Sequence, residues 1–132
     1  MSAWATLAAA MRARHPGATD AGDHLRIVLV SAAPDRVRIG VRLRLVGEAV
    51  ELVADLGPMA RFDPWEVLRT NAALAHGALA MIGETAVLRA VAPMAIPVEE
   101  LAVRVQRLAG EAAAIRGPQV PADATVFAHY AA

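Results

Sequence analysis

The residues whose types and spacing could do chemistry lie first in the run 36–45, RVRIGVRLRL, where arginine and aliphatic side chains alternate. Successive side chains of an extended backbone point to opposite faces. Arg36, Arg38, Arg42 and Arg44 therefore share one face, and Val37, Ile39, Val41, Leu43 and Leu45 the other. A row of guanidinium groups is chemistry for anions: phosphate, nucleic acid or an acidic protein. The charge balance argues against nucleic acid, because 13 basic residues meet 13 acidic ones, whereas phosphate neutralisation usually draws on a net basic excess. Rings for stacking bases are also missing beside the run. Trp4 and Trp65 fall at core spacing on helical stretches, and Phe127 and Tyr130 lie near the C-terminus. Anionic-ligand or nucleic-acid binding through these four arginines is the alternative reading; a wet face neutralised by the chain's own acids is the expected one.

Other chemistry is sparse. The histidines, His15, His24, His76 and His129, are scattered, and none has a second ligand at metal-binding spacing. Cysteine is absent, which excludes disulfides, thiol catalysis and thiolate-bound metal. Ser2 and Ser31 sit in no nucleophile-elbow pattern, and the glycines are dispersed singly rather than gathered in a phosphate loop. Glu99 and Glu100 open a helix, where acids suit the dipole; Asp63 reads as a helix cap and Glu51 as an arginine partner. No catalytic residue, metal or cofactor is expected, and the chain reads as a non-enzyme.

The elements that position these residues follow from periodicity. Ser2 is placed to cap a first helix whose Trp4, Leu7, Ala8 and Met11 make one stripe, stopped by HPG at 15–17. A strand at 24–30 leads through the loop 31–35 into the arginine strand. Gly47-Glu48 fits a two-residue hairpin turn, which puts Leu45 opposite Val50, Leu43 opposite Leu52, Ile39 opposite Leu56 and Arg44 opposite Glu51, with Asp55 near Arg42. Unpaired buried guanidinium groups are costly, so this register is what makes the face tolerable.

The stretch FDPWE (62–66) signals a second helix, with Asp63 as cap, Pro64 first in the helix, Glu66 completing a capping box and Phe62 with Val67 as a staple. Trp65, Leu68, Ala72 and Ala75 form its expected inward stripe, and Gly77 its stop. Two strands, 78–82 and 85–92, are apolar on both faces apart from Arg89, so helices can cover one side and a partner subunit is the economical cover for the other. A third helix from Pro97 to about Arg116 carries Val98, Leu101, Val105, Leu108, Ala112 and Ile115 at helical spacing, with Glu100–Arg104 on its outer face. The expected fold is α+β, in the order α-β-β-β-α-β-β-α, with helices flanking a twisted antiparallel sheet. One domain spans 1–117 and a tail 118–132, whose Val126, Phe127 and Tyr130 are apolar enough to dock on a groove. No apolar run approaches the ~20 residues of a membrane span, and no basic segment precedes the apolar N-terminal stretch, so a cytoplasmic protein is expected.

This element order, together with DPWEVLRTNAALAHGALAMIGETAVLRAVAPMAIPVEELAVRVQRLAGEA (63–112), resembles the type III secretion chaperone-like superfamily, which includes the CesT-type chaperones and the YbjN-type proteins. The resemblance implies a homodimer that binds a segment of a client protein without hydrolysing nucleotide. It implies a client surface at Trp4, Leu7, Met11, Leu25 and Ile27, and dimer contacts near Leu68, Leu79, Met81 and Val87. The neutral charge and the C-terminal tail depart from the acidic secretion chaperones and suit a more general adaptor.

Overall fold

The computed structural model describes residues 2–30 and 36–116. Helix α1 (Ala3–Arg14) begins where the Ser2 hydroxyl accepts the Ala5 N–H at 3.0 Å, and its Leu7, Ala8 and Met11 are buried. After it come β1 (Thr19–Asp20), β2 (Leu25–Val30), β3 (Arg38–Val46) and β4 (Ala49–Pro58). A short 3-10 turn (Met59–Arg61) leads into α2 (Pro64–Ala73), then β5 (Ala78–Ile82), β6 (Thr85–Pro93) and α3 (Val98–Arg116). The strands form one antiparallel sheet in the order β1-β2-β3-β4-β6-β5. The α+β class and the order of elements are as read from the sequence, with β1 added; at two residues it is too short to show any alternation.

The hairpin register is the expected one: Leu45 pairs with Val50, Arg44 with Glu51 and Leu43 with Leu52, and Gly47 takes φ +61° at the first turn position. Such a conformation suits glycine, which has no Cβ to clash. Pairing runs from Val46↔Ala49 to Val41↔Ala54, so the Ile39–Leu56 pair lies beyond the ladder. Arg36 also falls outside β3, with φ +50°, and the alternating face begins at Arg38.

One apolar core lies between the sheet and the helices. Leu25, Ile27, Val41, Leu43, Val50, Leu52 and Leu88 supply its sheet side; Leu7, Met11, Leu101, Val105 and Leu108 supply its helical side. The α3 stripe is buried at its expected positions, from Leu101 to Ala112, and Glu100 holds Arg104 at 3.0 Å on the outer face. The loop 31–35 and residues 117–132, with the tail residues Val126, Phe127 and Tyr130, lie outside the described residues.

Helix α2 stops earlier than its spacing predicts. Leu74 caps it, so Ala75 and His76 are not helical. Their N–H groups are instead taken by the Glu111 carboxylate of α3, at 3.0 Å from Ala75 and 3.2 Å from His76. Gly77 is required for contact rather than as a helix stop. A Cβ there would lie 2.7 Å from Leu108 Cδ1, 2.9 Å from Leu88 Cγ and 3.2 Å from the Arg89 carbonyl oxygen. Gly77→Ala is therefore expected to destabilise by about 1–3 kcal/mol through overpacking, seen as a lower denaturation midpoint at unchanged m-value. An unaltered midpoint would mean that the segment shifts freely.

Candidate functional site

Three surfaces of the fold carry features that its own packing leaves unused. The first is α2 with β5. Asp63 caps α2, its carboxylate accepting the Trp65 N–H at 3.3 Å, and Pro64 opens the helix as expected. Glu66 does not complete a capping box; it is engaged with Arg69 at 2.6 Å. None of the residues of α2 is buried. The predicted inward stripe faces outward: Trp65 is 69% exposed and Leu68 62% exposed. The reason is that the helix seats itself by other side chains. Phe62 and Leu74 pack against the core, and Val67 lines an apolar cleft of about 190 Å3 with Met59, Leu79 and Met81. Met81 is 59% exposed, so large apolar side chains are exposed on the edge strand β5 as well as on α2; Ile82, next along the strand, turns to the opposite sheet face. Of the residues expected at a dimer contact, Leu68 and Met81 are surface residues and Leu79 is half-buried. Val87 is fully buried, so nothing outside the protomer can touch its side chain.

The second surface is a groove of about 560 Å3 beside the start of α1, lined by Trp4, Leu45, Glu48, Pro93 and Met94 among others. Of the residues expected to meet a client, only Trp4 is there. Leu7, Met11, Leu25 and Ile27 are at most 6% exposed and belong to the core cluster. Leu7 and Met11 on α1 and Leu25 and Ile27 on β2 face the core from its helical and sheet sides, and a stripe buried within one protomer looks the same in sequence as one kept for a partner.

The third surface is the sheet face turned away from the core. Arg42 pairs with Asp55 at 3.0 Å and Arg44 with Glu51 at 2.8 Å, as the register predicts. Glu51 also accepts a short hydrogen bond from Arg89, which stands on β6 beside Val53. This partnership spans 38 positions of sequence, and its sole local sign was that Arg89 is the only charge within its strand. Glu51 is the one buried charged residue among those described. Burial works against its ionisation, but hydrogen bonds from Arg89 and Arg44, with their positive charges, outweigh this and hold the carboxyl below the usual glutamate value. A concavity of about 220 Å3 sits over these groups, lined also by Asp23, His24, Val53 and Ile82. Of the four arginines read as an anion site, Arg42 and Arg44 are thus engaged by carboxylates, Arg38 is exposed on the strand, and Arg36 precedes it.

Among the described residues no group of three or more histidine, aspartate or glutamate side chains is placed to hold a metal ion. No described helix is long and apolar enough to cross a membrane.

No protein-family model matches the chain, and no curated protein matches it in sequence. Its fold is similar to that of a chain in the structure of the heterodimeric complex ExoU-SpcU from the type III secretion system of Pseudomonas aeruginosa. The match has a TM-score of 0.55 and 20% identity, and it covers 84% of this chain and 93% of that one. At the level of fold, the likeness agrees with the resemblance read from residues 63–112.

Proposed function

We propose that this chain is a non-enzymatic, chaperone-like adaptor that forms a homodimer and binds a segment of a partner protein. The observation that carries the reading is the exposed apolar surface of α2 and β5, where Trp65, Leu68 and Met81 stand in solvent on a helix and a strand edge that the other described residues leave uncovered. Large exposed apolar side chains grouped on neighbouring elements mark interaction surfaces, and tryptophan dominates such contacts when it becomes buried. The fold likeness to a chain of a two-protein secretion complex supports the partner-binding part of the reading. In it, α2 and the β5 edge serve the second copy, and the Trp4 groove receives an apolar stretch of the client.

Sedimentation at increasing protein concentration tests this. Wild type is expected as a dimer, and Trp65→Ser with Leu68→Ser as a monomer of unchanged circular dichroism, the dissociation constant rising by roughly a hundredfold or more for the loss of two large apolar contacts. A wild type that stays monomeric at high concentration overturns the reading. Separately, Trp4→Ala is expected to weaken binding of apolar peptides while leaving the dimer intact.

A further inference from the structure

We propose that the sheet face opposite the helices is a docking site for an acidic, extended segment of a partner protein. The inference rests on the reading of the chain as a partner-binding protein and assigns it a second surface, distinct from the α2 edge and the Trp4 groove. Its first ground is a pair of like charges of which only one, Arg42, has a carboxylate partner among the described residues. Arg26 of β2 stands directly opposite Arg42 of β3, and like charges facing one another across strands are destabilising. Arg26 lies across β3 at Gly40, where a Cβ would come within 3.0 Å of its Nη2. The glycine thus lets the guanidinium lie on the sheet instead of standing away from it.

The second ground is the count of partners. Arg26, Arg38, Arg42, Arg44 and Arg89 share this face by register, against the carboxylates of Glu51, Asp55 and, at its margin, Asp23. Glu51 is shared between Arg44 and Arg89, Asp55 is occupied by Arg42, and Asp23 is held by His24 at 2.7 Å. Arg26 and Arg38 have no carboxylate partner among the described residues, and Arg42 Nε is buried without a hydrogen-bond partner there. Among the described residues a positive surplus therefore remains, on a face that none of the described helices covers.

The character of the occupant follows from what lies between the arginines. Val30 pairs with Arg38 and Val46 closes the other end of β3, both half-exposed, and Val91 stands beside Glu51. Guanidinium groups interleaved with β-branched residues suit an extended polypeptide with carboxylates beside aliphatic side chains, each carboxylate able to take a forked pair of N–H donors. A nucleic acid fits less well. Among its described residues the face carries no aromatic ring to stack on a base.

The test is fluorescence anisotropy with a labelled peptide of alternating glutamate and valine, a lysine–valine peptide and a short DNA duplex as the other probes. Wild type is expected to bind the acidic peptide, less tightly as salt rises. Arg26→Glu with Arg38→Glu is expected to weaken it by roughly tenfold or more, and Arg26→Gln with Arg38→Gln by less. Circular dichroism checks that both variants fold; if the charge reversal does not, the glutamine pair decides. Equal binding by wild type and the folded variants, equal binding of the lysine peptide, or tighter binding of the duplex would each overturn the assignment. Sedimentation of the same samples separates the two readings. A dimer that ignores the acidic peptide removes this docking site alone, whereas a wild-type monomer removes the adaptor reading whatever the peptide does.

Discussion

Leu108→Ala is expected to lower the unfolding free energy by about 3 kcal/mol, within the usual range for a leucine truncated in a core. Leu108 is fully buried in the middle of α3. Its Cδ1 lies against Gly77, in the segment after α2. Truncation removes apolar area and also leaves a space that neither α3 nor the strand beneath can close without moving. Against a total stability of about 5–15 kcal/mol this is a large fraction. Denaturant unfolding checks it, and a loss below about 1 kcal/mol would show that the space collapses easily. The variant also reports on its neighbour. In the Leu108→Ala background the cost of Gly77→Ala should shrink, because one of its clashing atoms is gone, but not vanish, because Leu88 Cγ stays 2.9 Å from the new Cβ. Such non-additivity is the mark of residues in contact.

The second large effect belongs to Glu51. Glu51→Gln is expected to cost about 2 kcal/mol near neutral pH. Breaking a buried ion pair can cost more than this, but Arg44 and Arg89 are about half exposed, so water compensates part of what they lose. The pH dependence has a definite sign. The folded carboxyl titrates below its ordinary value of 4.5, so its contribution to stability is present above that value and is lost as pH falls through the lower, folded one. Wild type should thus lose its advantage over the variant as acid is added from about the ordinary glutamate value downward. An advantage of constant size from neutral pH to well below that range would assign the effect to side-chain shape instead of charge.

Much of the fold was legible because its information is local. The N-caps Ser2 and Asp63, the turn glycine Gly47 and the apolar stripe of α3 each state their role within a few residues. The pairing of β3 with β4 could be read because a two-residue turn sets the register, and the register in turn brings Arg44 to Glu51 and Arg42 to Asp55. Once chains must meet across many positions, that legibility ends. Arg89 reaches Glu51 from a strand that arrives only after α2 and β5 have been placed, and Glu111 meets the N–H groups of Ala75 and His76 because α3 returns alongside them.

The amino-acid order by itself therefore determined the main helices and strands, the hairpin register and the pairing of Arg42 and Arg44 with their carboxylates, because periodicity and turn chemistry act within a short stretch of backbone. Tertiary structure alone decided which apolar stripes are hidden. Helical spacing says that Leu7 and Met11 share a face, and that Trp65 and Leu68 do, but not what those faces meet. The sheet and α3 cover the first pair and leave the second in solvent. Burial is a property of the neighbours a side chain finds, and those come from distant parts of the chain.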